Sequence, residues 1–305
     1  MRLLITGATG FAGRHLTSCA AAQGHEVHGL DPAVDVRDGA ALAGALREVA
    51  PDAVAHLAGA SSVGGSFADP LGTWDVNLGG TLALLEALRA GAPEVRALIV
   101  SSGEVYGRVA PDELPAGADT PLRPLSPYGA SKAAADLAAA QYRAAYGTAA
   151  LRVRAFNHIG PGQDARFVLP AVARQIALAE HEGRERVEVK VGNVDTRRDF
   201  TDVRDMVRAY LLILERGDPD ALYIACSGAS RPVRELVEGL APLARIPVTF
   251  AAREGLRRAG EQPDLYGSPA RLREDTGWTP EIPMKTTLAD TLDWWRERVV
   301  AEDRE

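Results

Sequence analysis

Short apolar runs alternating with longer helix-like segments predict an α/β protein built on a doubly wound parallel sheet, with a second, smaller α/β domain. Three observations carry that expectation. The runs are continuously apolar, as strands covered on both faces are. A glycine-rich turn, TGATGFAG, follows the first run directly and opens a helix-like segment. Beyond Phe156 the alternation loosens, proline and glycine become frequent, and short strands such as RVEVKV and PVTF stand between helices.

In chain order, RLLIT reads as the first strand and AGRHLTSCAAAQ as the helix after the glycine turn. HEVHGL and GAALAGALREVA form the next strand and helix, and DAVAHLA the third strand. DPLGTWDVNLGGTLALLEALRA reads as one long helical segment, followed by the strand VRALIV, the helix PYGASKAAADLAAAQYRAAY and the strand AALRVRAF. The expected division is a first domain over 1–156, to which 195–227 returns with DVRDMVRAYLLILE and ALYIACS. Residues 157–194 and 228–305 then make up most of a substrate domain.

A chain of 305 residues is long enough for such a core. Its apolar fraction of 46% and charged fraction of 25% are those of a soluble globular protein. With 34 Lys+Arg against 41 Asp+Glu, the net charge is −7, which gives no reason to expect a nucleic-acid partner. A local pair of arginines can still hold a phosphate. The two cysteines, Cys19 and Cys226, lie far apart and suggest neither a metal site nor a disulfide framework. No run approaches the ~18 apolar residues that span a bilayer. The first apolar run is too short for a signal peptide, so a cytoplasmic protein without a membrane partner is expected.

Gly7, Gly10 and Gly13 fall at the turn from first strand to first helix. The first allows the tight turn, the second lets backbone approach a pyrophosphate, and the third permits close helix packing. The helix N-terminus attracts the anion. At the end of the second strand, Asp31 can accept hydrogen bonds from an adenosine ribose and repel a 2′-phosphate. Pro32 and Ala33 supply no cation to reverse that, so NAD(H) is favoured and NADP(H) possible, with Arg37 nearby as the complication. The alternative for Asp31 is a turn residue before Pro32.

Tyr128 and Lys132 are four residues apart in SPYGASK and share one helix face. A phenol of pKa ~10 is a poor base at neutral pH, and a nearby ammonium lowers that pKa. The pair can exchange a proton with a carbinol or carbonyl oxygen while a nicotinamide exchanges the hydride. Ser102, at the end of the preceding strand, offers a hydroxyl to the same oxygen. Glu104, in SSGEVYG, either moves a proton or only neighbours the chemistry.

TGATGFAG, HLAG, DVNLGGT, SSGEVYG, SPYGASK and FNHIGPGQ occur in the order found in extended short-chain dehydrogenases/reductases, which the chain resembles over nearly its whole length. The resemblance implies an N-terminal Rossmann domain and a C-terminal domain for a nucleotide-sugar. It implies Ser102, Tyr128 and Lys132 as the catalytic set, with Glu104 beside them and Asn77 in support; Asn77 could otherwise be a plain helix residue. The cofactor-binding set becomes Gly7, Thr9, Gly10, Phe11, Gly13, Asp31, Asp35, Val36, Leu57, Ala58, Gly59, Asn77, Tyr128 and Lys132. FNHIGPGQ, VKVGNVDTRRDFTDVRDM, YIACSG and GSPARLREDTGWTPEIP resemble the GDP-6-deoxy-4-keto-mannose reductases that make GDP-rhamnose and, less well, the GDP-mannose 4,6-dehydratases.

Arginines suit phosphate because a guanidinium grips two oxygens at once. The resemblance selects Arg198, directly before Asp-Phe, for the diphosphate, and Arg258 and Glu261 for the nucleoside ribose. A solvated face is the alternative for Arg258. Asn157 is placed near the sugar diphosphate, and Val168, with Ser102 and Glu104, completes the substrate set. His158 is open between a site residue and a satisfied core histidine; a lone histidine makes no metal site, and none is expected.

The leading expectation is reduction of C4 of a GDP-4-keto-6-deoxy-hexose to GDP-rhamnose or a related GDP-6-deoxyhexose. The rival is a 4,6-dehydratase or another nucleotide-sugar epimerase, and a third class is a non-catalytic NAD-binding sensor. The long Ala- and Leu-rich helices around DVNLGGTLALLEALRA and SKAAADLAAAQYRAAY carry more apolar surface than one buried face needs. A homodimer through a four-helix bundle is expected, as related proteins dimerise through the equivalent pair.

Overall fold

The computed structural model describes residues 1–252 and 262–303. Arg258 and Glu261 lie outside the described residues. Five apolar runs form parallel strands: β1 (Arg2–Thr6), β2 (Glu26–Gly29), β3 (Ala53–His56), β4 (Arg96–Ser102) and β5 (Ala150–Ala155). Later come β6 (Asn157–Ile159), β7 (Val187–Val191), β8 (Arg197–Arg198), β9 (Phe200–Asp202) and β10 (Leu222–Ala225). The main sheet has six parallel strands in the order β10-β5-β4-β3-β1-β2. This is the doubly wound α/β class, and the order in which strands are added reverses between β1 and β3. In such sheets ligands bind outside the carboxyl ends of the strands at that reversal.

Helices cover both faces. On one side α1 (Phe11–Ala22) packs against a helix from the second half, Val203–Arg216. That side buries Leu3, Ile5, Ala53, Ala55, Leu98, Met206 and Tyr210. The other face buries Leu4, Val54, Ala97 and Ile99 beneath α2 (Gly39–Val49) and the helices that follow it. The odd and even residues of each strand thus divide between two cores, which is why the runs are apolar throughout. A third core forms among Val-rich β7 and the helices Val168–His181 and Met284–Glu302.

The segment expected as one long helix is divided. After α3 (Val63–Ala68) come α4 (Pro70–Trp74), one wider π-helical turn over Asp75–Gly79, and α5 (Gly80–Gly91). Asp69 caps α4 through Gly72 N–H at 2.9 Å, and Pro70 occupies its first turn. The wider turn holds Asn77 1% exposed, its amide donating to Ala60 O at 3.2 Å and Ser131 Oγ at 3.0 Å. A polar residue in the interior of this turn therefore faces inward, which a regular apolar periodicity does not announce.

α6 (Pro127–Tyr146) is set by its ends. Ser126 accepts from Gly129 N–H at 3.0 Å, Pro127 starts the first turn, and Gly147 ends the helix at φ 70°. The Ala-rich sequence between has high helix propensity.

Candidate active site

The glycine turn between β1 and α1 is shaped by close backbone contact. Gly7 adopts φ +71°, and a Cβ there would lie 2.8 Å from Ala58 N. A Cβ on Gly13 would lie 2.1 Å from Gly7 O, so only glycine lets α1 approach the turn. The helix begins after Gly10 with no side-chain cap, leaving its first amides directed out of the N-terminus. Thr9 and Gly10 are exposed there, and Leu57, Ala58 and Gly59 border the turn from the end of β3. Thr6 ties the two loops together: its hydroxyl is 2.9 Å from His56 Nδ1 and accepts from Ala58 N–H at 3.3 Å. These residues suit a dinucleotide, whose pyrophosphate would meet the α1 amides.

At the far end of this cleft, Asp31 is exposed and accepts from Ala33 N–H at 2.8 Å. That turn bond uses one carboxylate oxygen and leaves the other outside it. Asp35 is held by Arg37, whose Nε lies 2.9 Å and 3.0 Å from its two oxygens. Hydrogen bonds from Arg37 push the Asp35 carboxyl down to about 2. The same guanidinium bonds Asp75. Arg37, the one cation near Asp31 that sequence left in question, is thus engaged by two carboxylates. Val36 packs its side chain on the start of α5, where a Cβ on Gly80 would lie 2.9 Å from Val36 Cγ2.

Tyr128 and Lys132 sit on α6 beside the end of β4. Tyr128 is half-buried and hydrogen-bonds Ser102, which is 8% exposed. Two bonds tie α6 to β4: Lys132 Nζ donates to Val100 O at 2.9 Å, and Lys132 O accepts from Ser101 Oγ at 3.0 Å. A Cβ placed on Gly59 would lie 2.7 Å from Asn77 Oδ1 and 3.6 Å from Lys132 Nζ, so asparagine, lysine and the β3 turn converge on one point. Asn77 Oδ1 is buried there without a hydrogen-bond partner, an acceptor facing the cleft that a bound ligand can meet.

The electrostatics differ from the sequence expectation in one respect. Burial pushes the Tyr128 phenol up to about 12; the Ser102 hydrogen bond opposes this and the Glu104 charge adds to it. Burial lowers Lys132 to about 8. The lysine is directed at Val100 O, so it does not pull the phenol down in this state. Burial here favours the neutral phenol of Tyr128 over the phenolate. Glu104 lies in the turn Gly103–Val105 just after β4, with its N–H donating to Ser102 Oγ at 3.2 Å.

His158 resolves toward a packed residue. Its ring stacks on Phe11 at 5.9 Å and 6°, its Nδ1 is 3.0 Å from Phe156 O, and burial lowers its pKa. Phe11 therefore packs against the second half of the chain while standing at the glycine turn. Asn157 lies half-buried on β6, paired with Phe200 of β9. Val168 is the first residue of the helix Val168–His181. Of the two arginines on β8, Arg197 donates to Ser230 Oγ at 2.9 Å and Ser230 O at 2.8 Å. Arg198, its neighbour on a two-residue strand, points to the opposite face.

A group that sequence reasoning missed lies behind the site. Asp136, 0% exposed, accepts from Arg154 Nε at 3.0 Å and Nη2 at 2.7 Å. Arg154 Nη1 donates to Tyr106 Oη at 3.1 Å, and Tyr106 donates to Gly117 O at 2.7 Å. The signal was the spacing: Tyr128, Lys132 and Asp136 follow at intervals of four on one helix face. Truncating one partner of such a buried pair costs about 3–5 kcal/mol.

Among the described residues no helix is long and apolar enough to cross a membrane, and no cluster of three His, Cys, Asp or Glu residues could hold a metal ion. The family model for GDP-mannose 4,6 dehydratase matches residues 32–291. The chain is 41% identical to GDP-6-deoxy-D-mannose reductase of Pseudomonas aeruginosa, over 99% of each chain. It is 31% identical to GDP-mannose 4,6-dehydratase of Vibrio cholerae, over 95% of this chain and 92% of that one. Among solved structures, RMD from Pseudomonas aeruginosa complexed with NADPH superposes with a TM-score of 0.88 at 41% identity, covering 97% of this chain and 99% of that one. Thermus thermophilus UDP-glucose 4-epimerase in complex with NAD superposes with a TM-score of 0.82 at 29% identity, covering 97% and 99%. With a glycine turn at the sheet reversal and Ser102, Tyr128 and Lys132 together at the end of β4, the chain belongs to the GDP-mannose 4,6-dehydratase family of extended short-chain dehydrogenases/reductases.

Proposed function

We propose that this protein reduces C4 of a GDP-4-keto-6-deoxy-hexose, forming GDP-rhamnose or a related GDP-6-deoxyhexose. The observation that carries the reading is the geometry at the end of β4, where Tyr128 hydrogen-bonds Ser102 and Lys132 lies four residues along the same helix. A ketone accepting a hydride needs a proton donor at its oxygen, and a phenol held at about 12 is one. A bound reduced nicotinamide supplies the hydride. Ser102 and Tyr128 hold the carbonyl oxygen from one side, and Tyr128 releases its proton to that oxygen as negative charge develops. Lys132 offers a cation four residues along the same helix, and Asn77 holds the polar wall between Lys132 and Gly59. Arg198 grips the diphosphate, Asn157 lies near it, and Val168 borders the sugar.

The 41% identity to a GDP-6-deoxy-D-mannose reductase, against 31% to a GDP-mannose 4,6-dehydratase, supports reduction over dehydration. The test is NADH or NADPH consumption with GDP-4-keto-6-deoxymannose, followed by NMR of the product sugar. No oxidation of either cofactor would reject the reading. Functionally, residues 1–156 and 195–227 serve as the cofactor domain, and 157–194 and 228–305 mainly as the sugar-nucleotide domain.

The same reading favours NADH over NADPH. Asp31 opposes a 2′-phosphate, and Arg37 is committed to Asp35 and Asp75. A relative's structure holds NADPH, so the preference is one of degree. Asp31→Ala is expected to narrow the ratio of kcat/KM for NADH to that for NADPH by about tenfold, the scale of one removed charge repulsion. A wild-type preference for NADPH would overturn the assignment of Asp31.

The functional unit is a homodimer built as a four-helix bundle, two helices from each subunit. Leu71 is 81% exposed on α4, Leu82 37% on α5 and Leu137 57% on α6. Such a set of exposed leucines on neighbouring helices suits a partner surface. Light scattering at micromolar concentration should give twice the chain mass, and Leu137→Glu should give a monomer. A monomeric wild type would count against the bundle.

A further inference from the structure

The buried group behind the site is one end of a longer connection. Asp136 belongs to the helix that carries Tyr128 and Lys132, and Arg154 fastens it to Tyr106 in SSGEVYG. Tyr106 Oη then donates to Gly117 O at 2.7 Å. The residue before, Ala116, is bonded on both sides to a strap of the second half: its N–H donates to Tyr266 O and its carbonyl accepts from Ser268 N–H, each at 2.9 Å. The strap's Gly267 N–H donates to the Asp199 carboxylate. Asp199 N–H donates to Leu265 O at 3.1 Å, and Leu265 lies in register with Arg198. Hydrogen bonds linked through adjacent residues thus connect the catalytic helix to Asp199, the residue next to the arginine assigned to the diphosphate.

The path is built to hold a distance. Asp136, Tyr106 and Asp199 are each 0% exposed and Arg154 is 4% exposed. The Arg154 guanidinium donates two bonds to one oxygen of Asp136, Oδ2, donates a third to Tyr106 Oη and lies 5.1 Å over the Tyr106 ring, so it is held from several sides. The Gly267 backbone is pressed against Phe156 and Ile224, where a Cβ would lie 2.7 Å and 2.9 Å away. Groups so enclosed have few alternative arrangements. Neither Asp136 nor Arg154 nor Tyr106 is assigned a contact with substrate or cofactor.

We propose that Asp136, Arg154 and Tyr106 are positioning residues that set the separation between the Tyr128 hydroxyl and Arg198. The first donates the proton and the second grips the diphosphate, so their separation decides whether a bound sugar's C4 oxygen reaches Tyr128. This rests on the reductase reading above. It predicts a particular failure when the path is cut. Diphosphate grip and cofactor site stay intact, while the carbonyl sits off line, and misplacement of about 1 Å costs about 10² in rate.

The test uses Tyr106→Phe, which removes one hydroxyl, and Asp136→Asn, which keeps shape but weakens the bonds from Arg154, each in the full chain. Wild-type turnover of 4-keto-6-deoxy nucleotides decides the reductase reading first. The variant-to-wild-type comparison then decides the positioning role on whichever of them is reduced. Expected are a kcat lowered about tenfold or more, Kd values for GDP and NADH unchanged within about twofold, and a deuterium isotope effect from labelled NADH above the wild-type value, because hydride transfer has become slower. A variant with wild-type kcat overturns the proposal. So does a lower kcat with an unchanged isotope effect, which marks a smaller folded fraction, or a parallel loss of both ligand affinities. If Tyr106→Phe does not fold, Asp136→Asn is read by the same three measurements, and failure of both to fold assigns the group to stability alone. A wild type inert toward all 4-keto nucleotides overturns both readings together.

Discussion

Tyr128→Phe is expected to lower kcat for ketone reduction by about 10² or more, the scale of a lost general acid. The phenylalanine keeps the ring and its packing, so NADH binding should change little. The pH dependence separates the tyrosine from its lysine. Tyr128 is pushed up to about 12 and stays protonated across the working range, so it contributes no limb near neutrality. Lys132 is lowered to about 8 by burial. It is a cation below that pH and loses its charge as pH rises through it. The profile of kcat/KM for NADH reports groups of the free protein, and it should therefore fall above about pH 8. In Lys132→Met that alkaline limb should vanish along with most of the activity. A limb that persists in the variant would assign it to another group.

Sequence made the main sheet legible because inner strands such as β1 and β3 are apolar on both faces and β1 runs straight into the glycine turn. Gly7 and Gly13 could be read because a tight turn and a close helix leave no room for a Cβ, and the contacts at 2.8 Å and 2.1 Å are the physical form of that reading. Tyr128 and Lys132 were legible as a pair only together with Ser102 and the glycine turn upstream, because their spacing alone occurs on many helices. Their electrostatics were not, since the direction of a lysine ammonium depends on which carbonyl it meets, here Val100 O. The π-helical turn at Asp75–Gly79 was hidden inside a segment that reads as one continuous helix. Arg37 shows the limit of proximity in sequence: it stands near Asp31, but Asp35 and Asp75 decide where its charge is spent. Arg154 was read as part of a strand, and nothing local revealed that its charge would be buried against Asp136, eighteen residues earlier. Long-range pairing of that kind is a property of the packed structure.

Glu104→Gln is expected to retain appreciable reduction, within about tenfold of wild type, whereas loss of the Tyr128 hydroxyl costs far more. Reduction needs one hydride and one proton at the carbonyl, and leaves the C5–H bond alone. Dehydration needs more: a base for the C5 proton and an acid for the departing 6-hydroxyl. Gly103, beside Glu104 in sequence, offers no acid group, and a Cβ there would crowd the Phe156 ring at 3.1 Å. Glu104 is the carboxylate that remains, half-buried next to Ser102. Its charge helps keep Tyr128 protonated, the state a proton donor must start in. Replacing it with glutamine removes that charge and lets the phenol's pKa fall, which alters the acid's strength without removing the acid. Glu104 is on this account a neighbour of the chemistry. The contrary result is specific. Wild-type protein would convert GDP-mannose to the 4-keto-6-deoxy sugar with no net NADH consumption, and Glu104→Gln would nearly abolish that conversion. Those two outcomes together would make Glu104 the base and the protein a dehydratase.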